Sequence, residues 1–68
     1  MFRNLMAEMA RAELNNKEMA EKIGIGEVAY GRKLKGASDW TIREMLAIQK
    51  IINKKLGTSY TLDYLFAI

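Results

Sequence analysis

A basic segment, Arg32-Lys33-Leu34-Lys35-Gly36, carries the side chains with the clearest chemical capacity in this 68-residue chain. Lysine and arginine bind anions, and arginine can also donate paired hydrogen bonds to a planar acceptor. A basic run alone is most often only a solvated surface, so its context has to decide its role. Here the run follows a helix-sized stretch and a glycine turn, and that position favours a binding role.

The sequence contains few residues suited to catalysis or metal binding. The chain has no Cys and no His, which excludes disulfides, thiol nucleophiles, imidazole triads and thiolate or imidazole metal sites. The acidic residues are scattered singly, without the spacing of a cation-binding loop. A chain this short also encloses a deep pocket only with difficulty. We therefore expect no enzymatic activity, no catalytic residue, no metal and no cofactor.

The overall composition is that of one small globular domain, which we place at 1–68. Eleven Lys and Arg residues against eight Asp and Glu give a net charge of +3, and mild basicity fits a nucleic-acid partner. No apolar run approaches the ~20 residues of a membrane helix, and the N-terminus lacks the layout of a signal peptide. We expect a cytoplasmic protein with no membrane partner.

Apolar periodicity, capping residues and glycines predict an all-α fold. Asn15 with Glu18 and Thr41 with Glu44 have the spacing of capping boxes, which mark helix starts. The predicted helices are one that ends near Leu14, one over 16–23, one over 27–35, one that begins after Thr41 and stops at Gly57, and a short one after Thr61. The longest helix is expected to bury the face formed by Ile42, Met45, Leu46, Gln49 and Ile52. Ile48 and Ile51 lie beside that face.

The second and third predicted helices have the features of a helix-turn-helix. Such a pair needs a small residue where its helices cross and a sharp reversal four residues later, and Ala20 and Gly24 supply them. An apolar wedge would then fix the angle between the helices; its members are Met19, Ile23, Ile25 and Tyr30. We expect Tyr30 to keep its hydroxyl at the rim of the core, Trp40 to pack beneath the fourth helix, and the five Met residues to fill the core.

Four segments carry a resemblance to a known family: Asn16-Lys17-Glu18-Met19-Ala20-Glu21-Lys22-Ile23-Gly24-Ile25-Gly26, 30–36, 39–45 and 62–66. They resemble the phage repressor and Cro-like helix-turn-helix family, also called the xenobiotic-response-element family. The resemblance covers nearly the whole chain. It implies a compact lambda-repressor-like domain of five helices with its motif at 16–36. Members are small bacterial or phage transcription regulators that bind operator DNA, commonly as dimers.

The chain departs from the family pattern at three positions. Tyr30 stands where a branched aliphatic residue is usual, and Gly26 stands where Ser or Thr often caps the recognition helix. Gly31 lies in the middle of that helix, where it should cost about 0.5–1 kcal/mol against Ala unless a close approach needs it.

The resemblance also implies how the domain would meet DNA, with the third helix in the major groove and the second across the backbone. Arg32 would pair with guanine, Val28 would contact a thymine methyl group, and Glu27 would accept from cytosine or exclude wrong sequences. The expected phosphate contacts are Asn16 and Lys17 at a helix N-terminus, then Lys33, Lys35 and Ser38.

Apolar residues exceed the obvious needs of one small core, and two interpretations of the surplus stay open. The residues concerned are Phe2, Ile48, Ile51, Tyr64, Phe66 and Ile68. They could form an isologous dimer contact, which would place two recognition helices one DNA turn apart. They could equally be ordinary core and a frayed C-terminus.

The expected function is sequence-specific binding of double-stranded operator DNA by a transcription regulator of the phage or prophage Cro/repressor type. The alternative is a helical protein-interaction module on the same fold, such as an antirepressor or a regulatory partner, because fold alone does not determine function. Residues 15–36 hold five Lys and Arg against three Glu, and this local charge favours DNA. With no room for an effector domain, we expect no small-molecule effector.

Overall fold

A computed structural model describes residues 1–67, and these form five α-helices with no β-strand among them. The helices are α1 (Arg3–Arg11), α2 (Asn16–Ile23), α3 (Glu27–Lys35), α4 (Ile42–Leu56) and α5 (Leu62–Phe66). The predicted all-α class is confirmed, and α2, α3, α4 and α5 lie where the sequence pattern placed them. Along the described chain, no helix is long and apolar enough to cross a membrane.

Reciprocal capping bonds fix the starts of α2 and α4. The Glu18 N–H donates to Asn15 Oδ1 at 2.8 Å, and the Asn15 N–H donates to Glu18 Oε1 at 3.0 Å. Thr41 and Glu44 repeat the arrangement: the Glu44 N–H donates to Thr41 Oγ1 at 3.1 Å, and the Thr41 N–H donates to Glu44 Oε1 at 2.9 Å. Both predicted capping boxes are therefore confirmed, and they satisfy N–H groups that the first turn of a helix leaves without partners.

The end of α1 differs from the prediction, because the helix stops at Arg11 rather than near Leu14. Glu13 adopts a left-handed conformation with φ of 58°. Its N–H donates to the Ala10 carbonyl at 3.1 Å, and the Leu14 N–H donates to the Met9 carbonyl at 3.0 Å. This pair of bonds is a Schellman closure. The sequence gives no warning of it, since the left-handed position holds a glutamate instead of a glycine.

The connection between α2 and α3 has the predicted geometry at its glycine. Gly24 is left-handed with φ of 78°, and its N–H donates to the Glu21 carbonyl. The Ile25 N–H donates to the Ala20 carbonyl at 3.0 Å. Ala20 itself is 1% exposed, so α2 turns directly into α3 over a buried small residue.

Every helix contributes to a single core, and aromatic rings fill its centre. The Trp40 ring meets the rings of Tyr30, Phe66 and Phe2 edge to face, with centroid distances of 5.2, 5.6 and 6.2 Å. Trp40 is half-buried and packs against the core, and its ring contacts are with α3, α5 and Phe2 rather than with the fourth helix, beneath which it was expected. The Tyr30 hydroxyl is buried and donates to Met9 Sδ at 3.2 Å, so the expectation that it reaches the rim was wrong. Burial raises the pKa of this hydroxyl.

The buried face of α4 is rotated from the predicted one. Ile48 and Ile52 are fully buried, whereas Ile42 is 59% and Leu46 is 49% exposed. Apolar residues surround most of this helix, so their spacing alone does not select a face. The choice comes from the following segment, because the side-chain amides of Gln49 and Asn53 both donate to the Tyr60 carbonyl at 3.0 Å.

Burial in the structure shows which of the surplus apolar residues belong to the core. Ile48 and Phe66 belong to the core, and the half-buried Phe2 packs against that core. None of these three is free for a dimer contact, although Tyr64 stays 36% exposed. Ile51 is half-buried, and Ile68 lies outside the described residues. Of the methionines, Met9, Met19 and Met45 pack in or against the core, whereas Met1 and Met6 are exposed.

Candidate nucleic-acid interface

One side of α3 is anchored in the core and the opposite side is open to solvent. Tyr30 and Leu34, one helical turn apart, are buried. Val28, Arg32 and Lys35 are exposed, and their spacing of four and three places them on one helix face. Val28 is 78% exposed, which is unusual for so apolar a side chain. We call these three residues the exposed face of α3.

Glu27 lies at the margin of this face, beside the start of α2. A shallow groove bordered by α1, α2 and α3 has Glu27, Asn16 and Lys17 among its lining residues. The side chain of Asn16 approaches the middle of α3, where a Cβ added at Gly31 would lie 3.9 Å from Asn16 Nδ2. The structure thus brings together two expected phosphate-contacting residues and one expected base-contacting residue.

The N-terminal turns of α2 and α3 both keep unused donors at this groove. The N–H groups of Asn16 and Lys17 have no acceptor within residues 1–67, because the capping box serves only its neighbours. Gly26 begins α3 without any side-chain cap. Free N–H groups and the positive end of a helix dipole attract anions, so this edge can accept a phosphate oxygen or another anionic group.

Lys33 faces away from the exposed face of α3 and binds Glu44. Its Nζ lies 2.6 and 2.7 Å from the two carboxylate oxygens, and the two side chains are only 16% and 12% exposed. Burial opposes the charge on Glu44, but the bonds from Lys33 and Thr41 hold the pKa of this carboxyl below its ordinary value. The positive charge of Lys33 is therefore paired with a carboxylate within the protein. The sequence could not indicate this, since eleven residues separate the partners.

The remaining expected phosphate contacts lie at the C-terminal end of α3. Lys35 is the last residue of the helix and is exposed, whereas Ser38 in the following loop is half-buried. Gly36, left-handed with φ of 88°, turns the chain between them. Cationic and hydroxyl groups therefore flank the far end of the exposed face.

A second buried carboxylate, missed at the sequence level, lies away from this surface. Glu8 is fully buried; it accepts from the Tyr64 hydroxyl at 2.7 Å and from Arg11 Nη1 at 2.9 Å. Burial opposes its ionisation, but the hydrogen bond from Tyr64 and the charge of Arg11 hold the pKa of Glu8 below its ordinary value. This cluster joins α1 to α5. Among residues 1–67, no group of three or more acidic residues could hold a metal ion.

Comparisons of the chain with protein-family models, with curated proteins and with solved structures found no match. The structural evidence about function is the arrangement of α2 and α3. That arrangement combines the exposed face of α3, open N–H groups beside it, and a basic end.

Proposed function

We propose that the chain is a sequence-specific double-stranded DNA-binding transcription regulator of the phage or prophage Cro/repressor type, acting in the cytoplasm of a bacterial or phage-infected cell. The observation that carries the proposal is the exposed face of α3, held outward by the burial of Tyr30 and Leu34. A helix anchored on one side that offers arginine and an apolar side chain on the other suits the major groove.

The exposed face supplies the base contacts in this proposal. Arg32 donates two hydrogen bonds to a guanine edge, and Val28, one turn earlier, contacts a thymine methyl group. Glu27 is closer to the N-terminus of α2, where it accepts from cytosine or rejects sequences that leave its carboxylate unpaired. Specificity therefore depends mainly on Val28 and Arg32.

The phosphate contacts that we propose come from both ends of the exposed face. Asn16 and Lys17 hold a phosphate at the open N-terminus of α2, and Lys35 and Ser38 hold the backbone beyond the end of α3. We omit Lys33 from the contact set, because its charge is already paired with Glu44. Phosphate contacts of this kind position the helix without reading sequence.

A homodimer on a two-fold operator is part of the proposal. Exposed apolar area for an isologous contact comes from Ile42 and Leu46, which lie one turn apart on α4. Ile48 and Phe66 cannot serve, since both are buried in the core. Bound sites should then consist of two inverted half-sites about one helical turn apart.

Selection of bound duplexes from a random pool tests the proposal. We expect enrichment of one motif with a guanine in each half-site, and an affinity that falls steeply as salt rises because counterions are released from the phosphates. Absence of duplex binding at low salt, or binding with no enriched motif, would contradict sequence-specific regulation.

A further inference from the structure

A second basic surface lies between α2 and α4. It is a shallow groove whose apolar floor is Leu14 and Ile51 and whose rim carries four lysines: Lys22, Lys50, Lys54 and Lys55. We name it the lysine groove. We propose that the lysine groove is a docking site for an acidic amphipathic segment of a partner protein, separate from the surface that α3 offers to DNA.

The lysine groove carries uncompensated positive charge. Its lining contains no acidic residue, and within residues 1–67 none of its ammonium groups lies within 4.0 Å of a carboxylate oxygen. Glu18, which is held in the capping box, and Glu21 lie beside Lys22 on α2 and reduce the positive potential there. The positive potential is therefore strongest along α4, where Lys50, Lys54 and Lys55 lie, and a complementary partner must be anionic.

Helix-dipole stabilisation accounts for three of the four lysines separately, but not for Lys50. Lys22, Lys54 and Lys55 lie in last turns, where cations favour the helix dipole. Lys50 lies one turn before Lys54, and like charges at that spacing repel each other. The dipole effect also acts on each helix separately, so it gives no reason for two helices to direct their lysines to one groove.

The lysine groove is not an extension of the exposed face of α3. The first turn of α4 meets α3 through Glu44, and Lys54 lies ten residues later, about 15 Å further along the helix axis. On α2, Lys22 follows Lys17 by five residues, which rotates it by about 140° around the axis. A duplex seated on α3 would therefore not cover the groove.

The apolar floor of the lysine groove favours a peptide over a nucleic acid as its ligand. A phosphate backbone offers charge but no apolar group to cover Ile51, which is half-buried beside Leu14. An amphipathic helix that carries carboxylates on both sides of an apolar stripe matches both features at once, because its stripe covers the floor while its carboxylates meet the rim. The combination favours an acidic helical segment.

The test uses the full chain and two synthetic peptides of about 14 residues, long enough for about four helical turns. The first carries leucines at helical spacing with glutamates on both sides, and the second keeps the glutamates but has glutamine in place of leucine. We expect the leucine peptide to bind at least about fivefold more tightly, since only it covers the floor. Equal binding of both peptides, or no binding of the first, would overturn the proposal.

Two matched charge reversals on the chain localise the binding. At 0.15 M salt, where charges are screened beyond about 8 Å, Lys50→Glu should weaken leucine-peptide binding at least about fivefold and leave duplex affinity within about twofold. Lys35→Glu, the control, should weaken duplex binding and leave peptide binding within about twofold. Loss of duplex binding in Lys50→Glu, or equal loss of peptide binding in both variants, would overturn the docking site. Peptide binding without any duplex binding would overturn only the DNA proposal.

Discussion

Lys33 Nζ lies 2.6 and 2.7 Å from the two carboxylate oxygens of Glu44, and this ion pair ties α3 to the first turn of α4. The same carboxylate accepts the Thr41 N–H at 2.9 Å. One side chain thus starts α4 and anchors α3. The pair lies on the side of α3 away from Val28 and Arg32, so it orients the exposed face without occupying it.

Removal of the Lys33 ammonium should destabilise the fold. Lys33→Met leaves the mostly buried Glu44 without its main partner, and we expect the free energy of unfolding to fall by about 1–2 kcal/mol. Lys35→Met, on the exposed end of the same helix, should change it by less than about 0.5 kcal/mol. Urea denaturation of both variants measures the difference. Unchanged stability of Lys33→Met together with weaker duplex binding would show that Lys33 contacts phosphate instead.

The fold should lose stability in acid. Although burial disfavours their charge, hydrogen bonds keep the pKa values of Glu8 and Glu44 below the ordinary value of 4.5. A carboxyl with a lowered folded pKa stabilises the fold above its unfolded pKa, and this contribution is lost as the pH falls through the folded pKa. We expect the urea midpoint to be nearly constant above about pH 5 and to fall as the pH drops below about 4.5.

Glutamine variants identify the carboxyls responsible for the acid sensitivity. Glu44→Gln and Glu8→Gln should each lower stability at pH 7 and flatten the decline toward pH 3, because each removes one group that must be protonated on unfolding. The double variant should be flattest. A decline in the double variant as steep as in the unmodified chain would assign the effect to other groups.

Two glycines in the α2–α3 region should respond to alanine in opposite directions. A Cβ at Gly31 would have only ordinary contact with Asn16 at 3.9 Å, so no close approach requires this glycine. Gly31→Ala should stabilise the fold by about 0.5–1 kcal/mol, or roughly 4 °C in Tm. Gly24→Ala should destabilise it by about 1–2 kcal/mol, because Gly24 has a φ of 78°. Thermal unfolding measures both, and a loss of stability in Gly31→Ala would contradict the packing described above.

The helix starts could be predicted from the sequence because their causes are local. Asn15 with Glu18 and Thr41 with Glu44 bond within a single turn, so the capping residues alone indicate them. The outward placement of Val28 and Arg32 was expected only from the family resemblance, and the burial of Leu34 was not predicted. The end of α1 escaped prediction because Glu13 takes the left-handed position that glycine usually fills.

The contacts that the sequence could not indicate are those between distant residues. The buried Glu8 carboxylate accepts a hydrogen bond from Tyr64, 56 residues away, and no spacing rule connects the two. The orientation of α4 likewise depends on the segment around Tyr60. In the candidate site, Arg32 and Lys35 are exposed, as the contacts implied by the resemblance require, whereas Lys33 is held by a partner on another helix.

A comparison of Arg32→Ala with Lys35→Ala on selected and scrambled duplexes at two salt concentrations tests whether α3 reads base pairs in the major groove. If Arg32 reads guanine, its removal should cost about 1–3 kcal/mol on the selected duplex and relax preference at one base pair per half-site. Lys35→Ala should weaken all sequences together and reduce the salt slope by about one per monomer. Loss of specificity with Lys35→Ala but not with Arg32→Ala, or no effect of either, would contradict the placement of α3 in the major groove.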